Sequence, residues 1–171
     1  MIENLCSKNF TYKDIIQCGE TWIKYKDIIN NNPIETDTYE AIKLLCINLL
    51  DPIVDNFGNL TLTYGFASRD LTKLIKGRIS PTKDQHAGYE KMKSGRYICS
   101  RLGQAVDFYI EKFDSNELVN WVIQKKLPFD RMYFYGSDKP IHLSYGPDNK
   151  KQLVHMIKLK NGRLMPKVIS L

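Results

Sequence analysis

No run of the chain approaches the length needed to span a membrane. The opening residues, M-I-E-N-L-C-S-K-N-F, lack the basic-then-apolar layout of a signal peptide. The expected compartment is therefore the cytoplasm. There are four cysteines, Cys6, Cys18, Cys46 and Cys99, and none forms a C-x-x-C pair. A zinc knuckle or a thioredoxin-like redox motif thus has no support, and free thiols in a reducing compartment are expected. Histidine is scarce as well: His86, His142 and His155 are the only three. Internal repeats and low-complexity tracts are absent.

What remains describes one folded domain, residues 1–171. The chain is 43% hydrophobic and 26% charged, a balance that belongs to globular rather than disordered chains. Net charge is +6. An excess of this sign favours acidic partners such as nucleic acid or nucleotides, although lysines often form no more than a solvated face.

Hydrophobic periodicity places the elements. F-T-Y-K-D-I-I-Q-C-G reads as a short helix, capped by Thr11 with Asp14 and stopped at Gly19. T-D-T-Y-E-A-I-K-L-L-C-I-N-L-L-D-P reads as the main helix, capped by Asp37, with Tyr39, Ile42, Cys46, Leu49 and Leu50 on one stripe and Pro52 closing or kinking it. Strands are expected at Leu60–Phe66, in the segment ending at Ile110, in P-F-D-R-M-Y-F-Y-G and in K-P-I-H-L-S-Y-G. A helix capped by Asp114 lies between them. A basic, polar insertion of no clear period occupies about 72–96. Gln152–Leu159 is a last strand or helix. Helices first and a strand-rich second half make the fold class α+β: N-terminal helices on a small, mostly antiparallel sheet.

One residue breaks the pattern. In G-Q-A-V-D-F-Y-I, Asp107 shares a strand face with Ala105 and Tyr109, inside an apolar run. A carboxylate there has to be paired, hydrogen-bonded or metal-bound.

Five motifs in order resemble the D-Ala-D-Ala carboxypeptidase family of zinc peptidases, whose fold is shared by the Hedgehog signalling domain. They are N-F-T-Y-K-D-I-I, L-L-D-P-I-V-D-N-F-G, T-Y-G-F-A-S-R-D-L, G-Q-A-V-D-F, and the pair F-D-R-M-Y-F-Y with P-I-H-L-S-Y. The resemblance runs over about 9–147. It implies zinc, a substrate-binding arginine at Arg69, and metal ligands at Asp107 and His142. It also implies a histidine ligand seven residues before the aspartate, where this chain has Ser100. The family's catalytic carboxylate falls at Lys139, with Asp138 one step out of register.

Two protein ligands are too few for a catalytic zinc, which takes three and leaves one position open. Three readings follow. In the first, the degenerate cleft binds an anionic ligand (nucleic acid, a nucleotide or a phosphorylated molecule) through Arg69, Lys76, Arg78, Arg101, Arg131 and Tyr135, with altered hydrolytic chemistry or none. In the second, the site is rebuilt as a zinc-dependent peptidoglycan carboxypeptidase or endolysin. His86 or Cys99 would then be the third ligand beside Asp107 and His142, and Asp138 the base. In the third, only the scaffold survives, as a structural or interaction protein. For His142 a plain hydrogen bond to Asp107 stands beside the metal reading. For His86 ordinary polar loop contacts do. His155 is expected to be structural.

Overall fold

The computed structural model describes residues 2–75 and 81–169. Among the described residues six α-helices precede or interrupt a six-stranded sheet, an α+β arrangement as expected. The helices are α1 (Tyr12–Ile16), α2 (Glu20–Tyr25), α3 (Thr36–Leu45), α4 (Asp51–Phe57), α5 (Arg69–Leu74) and α6 (Ser115–Gln124). The strands are β1 (Thr61–Tyr64), β2 (Gln104–Tyr109), β3 (Arg131–Phe134), β4 (Ile141–Tyr145), β5 (Gln152–Lys158) and β6 (Leu164–Ile169). They lie in the order β1-β2-β4-β3-β5-β6. Every pairing is antiparallel except β3 with β5.

Local chemistry explains most boundaries. Thr11 and Asp14 form the expected reciprocal cap of α1. The helix ends before Gly19, which instead precedes α2 at a φ of 91°. The main helix starts one residue before Asp37. Its entry is held from outside: the buried carboxylate of Glu90 accepts the N–H groups of Ile34 at 3.0 Å and Glu35 at 3.1 Å, just before the helix, and the Thr38 hydroxyl at 2.9 Å in its first turn. Asp37 is left in the first turn, where its charge suits the helix dipole.

Pro52 neither ends nor sharply breaks this helix. It lacks the N–H that Asn48 would receive, and its ring would press on that carbonyl. The chain responds by widening to a π turn over Cys46–Leu50, with the Asp51 N–H reaching back to Cys46, and then continues as α4. The stripe survives: Ile42, Leu45, Cys46, Leu49, Leu50 and Ile53 are all fully buried.

That stripe packs on one face of the sheet, formed by Val106, Phe108, Met132, Ile141, Leu143 and Leu153. Leu118, Val119 and Val122 of α6 join the same core. The alternate residues of β2, β3 and β4, Asp107, Tyr133 and His142 among them, therefore share the opposite face. The strand at 60–66 is shorter than its alternation predicts. Gly65 lies so close to Ile15 that a Cβ would sit 2.1 Å from the Ile15 carbonyl oxygen, and Phe66 donates to that same oxygen. The chain leaves the sheet at Tyr64. At the other edge β5 is a strand, and β6, absent from the expectations, pairs with it despite Pro166 in its middle. Its residues are exposed on both faces up to Val168, so no apolar alternation marks it. The segment expected as a polar insertion contains two short 3-10 turns, Pro81–Lys83 and Gln85–Ala87, and packs inward through Gln85, His86 and Glu90. Among the described residues no helix is long and apolar enough to cross a membrane.

Asp51 ties the N-terminal turn to α4. Its carboxylate accepts from the Ser7 hydroxyl, the Lys8 and Asn9 N–H groups and the Asn9 amide, at 3.0–3.2 Å. Replacing it leaves these donors without their acceptor. Asp51→Ala is expected to lower stability by about 2 kcal/mol in urea unfolding. A change below about 0.5 kcal/mol would show that the turn contributes nothing to the folded state.

Candidate metal centre

The sheet builds most of the centre by register. Tyr64 of β1 stands opposite Asp107 of β2, Asp107 opposite His142 of β4, and His142 opposite Tyr133 of β3. A bulge between Leu62 and Tyr64 sets the first of these pairs. Without the extra residue, Thr63 would stand opposite Asp107 and Tyr64 would turn to the core face. Thr63 instead donates its hydroxyl to the Asp107 carbonyl at 3.1 Å.

His86 arrives from the 3-10 turn and is held at three points. Its N–H donates to Asp84 Oδ1 at 3.0 Å, its carbonyl accepts from Ala67 at 2.9 Å, and its Nδ1 lies 2.7 Å from the Gly65 carbonyl oxygen. A carbonyl only accepts, so the Nδ1–H donates and Nε2 is turned toward Asp107 Oδ1, 3.3 Å away. The same Oδ1 lies 2.8 Å from His142 Nδ1. Ligand atoms of His86, Asp107 and His142 all fall within 4.8 Å of one another, and together they could hold a metal ion. Two imidazoles and a carboxylate, one imidazole anchored through its other nitrogen to a carbonyl, form a donor set suited to a borderline divalent cation.

Aromatic rings enclose the group. Tyr64 lies against His86 with ring centroids 4.0 Å apart, and Tyr133 meets His142 edge-on at 4.9 Å. Burial raises the pKa of Asp107, yet the charge of His86 and the hydrogen bonds to both imidazoles hold it well below the usual carboxylate range. Burial, and then the negative charge of Asp107, pushes the Tyr135 phenol upward. Arg101 donates to the Tyr133 hydroxyl at 3.1 Å.

The loop carrying His86 is fixed by its neighbour. Gln85 is buried, and its amide donates to the Leu102 carbonyl at 2.7 Å and to Asp130 Oδ2 at 2.8 Å. Its oxygen accepts from the Ser144 hydroxyl at 2.9 Å and from Arg131 at 3.3 Å. Arg131 is thus an internal residue, buried and paired with Asp130. The sequence reading that gave it to an external anion is corrected on this ground: its guanidinium is buried and donates to Asp130 and Gln85.

Other expected residues lie elsewhere. Asp138 is exposed and paired with Lys139 at 3.1 Å, beside Tyr109, Phe113 and Ser115. It is not part of the three-residue group. Ser100, where the sequence resemblance implied a histidine, is exposed, and its hydroxyl reaches the Thr82 carbonyl at 3.4 Å. Cys99 is buried, which raises its thiol pKa, and it also stays outside the group. Arg69 is exposed at the start of α5 and lines a separate cleft of about 680 Å³ with Lys73, Lys91 and Lys93. Lys76 and Arg78 lie outside the described residues. His155 stacks near Phe134 at 5.2 Å, remote from the metal group in register.

Asp84 and Gln85 carry roles that sequence reasoning missed. Asp84 caps the turn and places Oδ1 4.0 Å from His86 Nε2. The only advance signal was the run D-Q-H-A-G, a capping residue and a glycine bracketing a histidine. Comparison of the chain with protein-family models, with curated proteins and with solved structures gives no match in any of the three.

Gln85→Ala would strip partners from Asp130, Arg131 and Ser144 at once. It is expected to destabilise the protein by about 3 kcal/mol, since each buried orphan costs about 1–3 kcal/mol. A variant with wild-type thermal and urea stability would mean that water replaces Gln85 and that the loop is not pinned by it.

Proposed function

We propose that the chain is a zinc-dependent hydrolase acting on peptide-like amide bonds, with His86, Asp107 and His142 as the metal ligands. The observation that carries this reading is the pair His86 Nε2 and Asp107 Oδ1. They face each other at 3.3 Å while the Nδ1–H of His86 is committed to Gly65. A proton on Nε2 or a metal cation can join these two atoms, and with His142 on the same carboxylate oxygen the occupant proposed is the metal. Zinc with three protein ligands and one open position supplies a Lewis acid and an activated water at neutral pH. The peptide bond as target rests on the sequence resemblance to D-Ala-D-Ala carboxypeptidases and on the order of the five motifs. The chain's own residues complete the chemistry. Gly65 fixes the His86 tautomer. Tyr135, held protonated, offers a hydrogen bond to an oxygen that gains negative charge. Arg101, through Tyr133, adds positive charge on the His142 side.

Metal analysis of untagged protein by mass spectrometry tests this. One zinc per chain is expected, lost in both His86→Ala and His142→Ala, together with release of D-alanine from a stem peptide ending in D-Ala-D-Ala. A protein that takes up no metal even from added zinc would end the hydrolase reading.

The cleft formed by Arg69, Lys73, Lys91 and Lys93 supports a second reading, an anionic ligand such as nucleic acid or a nucleotide. Among the described residues Lys73 is paired with Asp70 and Lys91 with Glu35, and Asp70 and Glu90 line the same cleft, so this reading relies on Arg69 and Lys93. An Arg69→Ala, Lys93→Ala double variant is then expected to bind a labelled single-stranded oligonucleotide at least about 10-fold more weakly, with a shallower salt dependence. Equal binding by both proteins would remove this reading.

A further inference from the structure

Two thiols distant in sequence are held in contact beneath the N-terminal turn. Cys6 and Cys46 are 4% and 0% exposed, and their sulfurs lie 3.6 Å apart. Both ends of the pair are fixed by main-chain structure. Leu5 bridges to Thr11, and Cys6 donates its N–H to the Phe10 carbonyl at 2.9 Å. Cys46 opens the π turn. Asp51 draws the Ser7–Asn9 tip of the same turn onto α4. A disulfide needs the sulfurs about 2.0 Å apart, so roughly 1.5 Å of closure separates the thiol pair from a bond.

We propose that Cys6 and Cys46 are an oxidation site, converted by a peroxide to an intramolecular disulfide that staples the N-terminal turn to the main helix. The hydrogen bond between the two thiols lowers the pKa of Cys6 and, with burial, raises that of Cys46. Cys6 is therefore the first nucleophile. Its sulfur attacks one peroxide oxygen and the O–O bond breaks. The departing oxygen leaves as water, taking up the thiol proton, and Cys6 becomes a sulfenic acid. The Cys46 sulfur then attacks the Cys6 sulfur, the S–O bond breaks, and a second water leaves with the Cys46 proton. Two electrons pass from the sulfurs to the peroxide, and two thiols become one disulfide. Peroxide reaches the buried sulfurs by local opening of the N-terminal turn, whose leading residues Glu3–Leu5 are exposed.

The remaining thiols give the reaction its selectivity. The Cys18 thiol is pushed up to about 12 by burial and then by the charge of Asp107. Burial raises Cys99 as well. Among the described residues neither faces a second cysteine at hydrogen-bonding distance.

The test is graded hydrogen peroxide treatment of the full chain, followed by alkylation in denaturant, intact mass and a non-reducing peptide map. Expected are a loss of about 2 Da, a peptide joining Cys6 to Cys46, alkylatable Cys18 and Cys99, and a higher melting temperature that dithiothreitol reverses. Cys6→Ser and Cys46→Ser should each abolish the mass loss, whereas a Cys18→Ser, Cys99→Ser double variant should retain it. The wild-type map decides the question even if a single variant fails to fold. Recovery of Cys6 and Cys46 as free thiols, while oxygen adducts of about 16 Da accumulate elsewhere, would overturn the proposal. So would a cross-link to any other cysteine.

Discussion

A carboxylate in the middle of an apolar strand constrains everything around it. Asp107 is only partly accessible, with 29% of its side chain exposed, and its Oδ1 is shared by two imidazoles. Burial alone would drive the group to its neutral form. The two histidines reverse this, and each must be brought to the same oxygen by a different device. His142 comes by strand register, which is rigid because a one-residue slip would expose the whole core face. His86 comes by a loop, and a loop needs its own anchors.

Those anchors account for the polar residues buried on this side of the molecule. Gln85 satisfies Asp130, Arg131 and Ser144 in one stroke and fixes the backbone next to His86. Glu90, farther along the same segment, holds the chain that enters α3. The segment therefore serves two masters: its first half positions His86, and its second half holds the entry to the helix that builds the core. A change at either end should be felt at the other, because the two halves share one short stretch of backbone.

The parts of the fold legible in the sequence are those set by local pattern. The alternation around Asp107 and around His142 gave each its strand, though not the register that sets them side by side, and the stripe through Ile42, Cys46 and Leu49 gave the main helix. His86 could be named as a candidate ligand only because histidines are few, since nothing periodic marks its loop. Arg131 read as a free cation because a sequence does not show that Asp130 and Gln85, the latter 46 positions away, would be buried against it. Asp138 looked like a base by its nearness to His142 in sequence, but the turn before β4 carries it to solvent. The helix cap failed for the same reason as Arg131: the partner, Glu90, lies more than 50 residues on. β6 was missed because both its faces are exposed, so alternation, the signal that marks strands, is absent.

Pro166 in β6 bears on how the molecule meets its own copies. β6 is the last strand on its side of the sheet, and Leu164, Met165 and Val168 are exposed along it. A sticky edge of that kind is an open template for another strand, and repeated addition leads to fibres. Proline offers no N–H, so any strand that docks there loses a rung at the centre of the ladder, next to the charge of Lys167. Pro166 thus works against growth of the sheet at this edge.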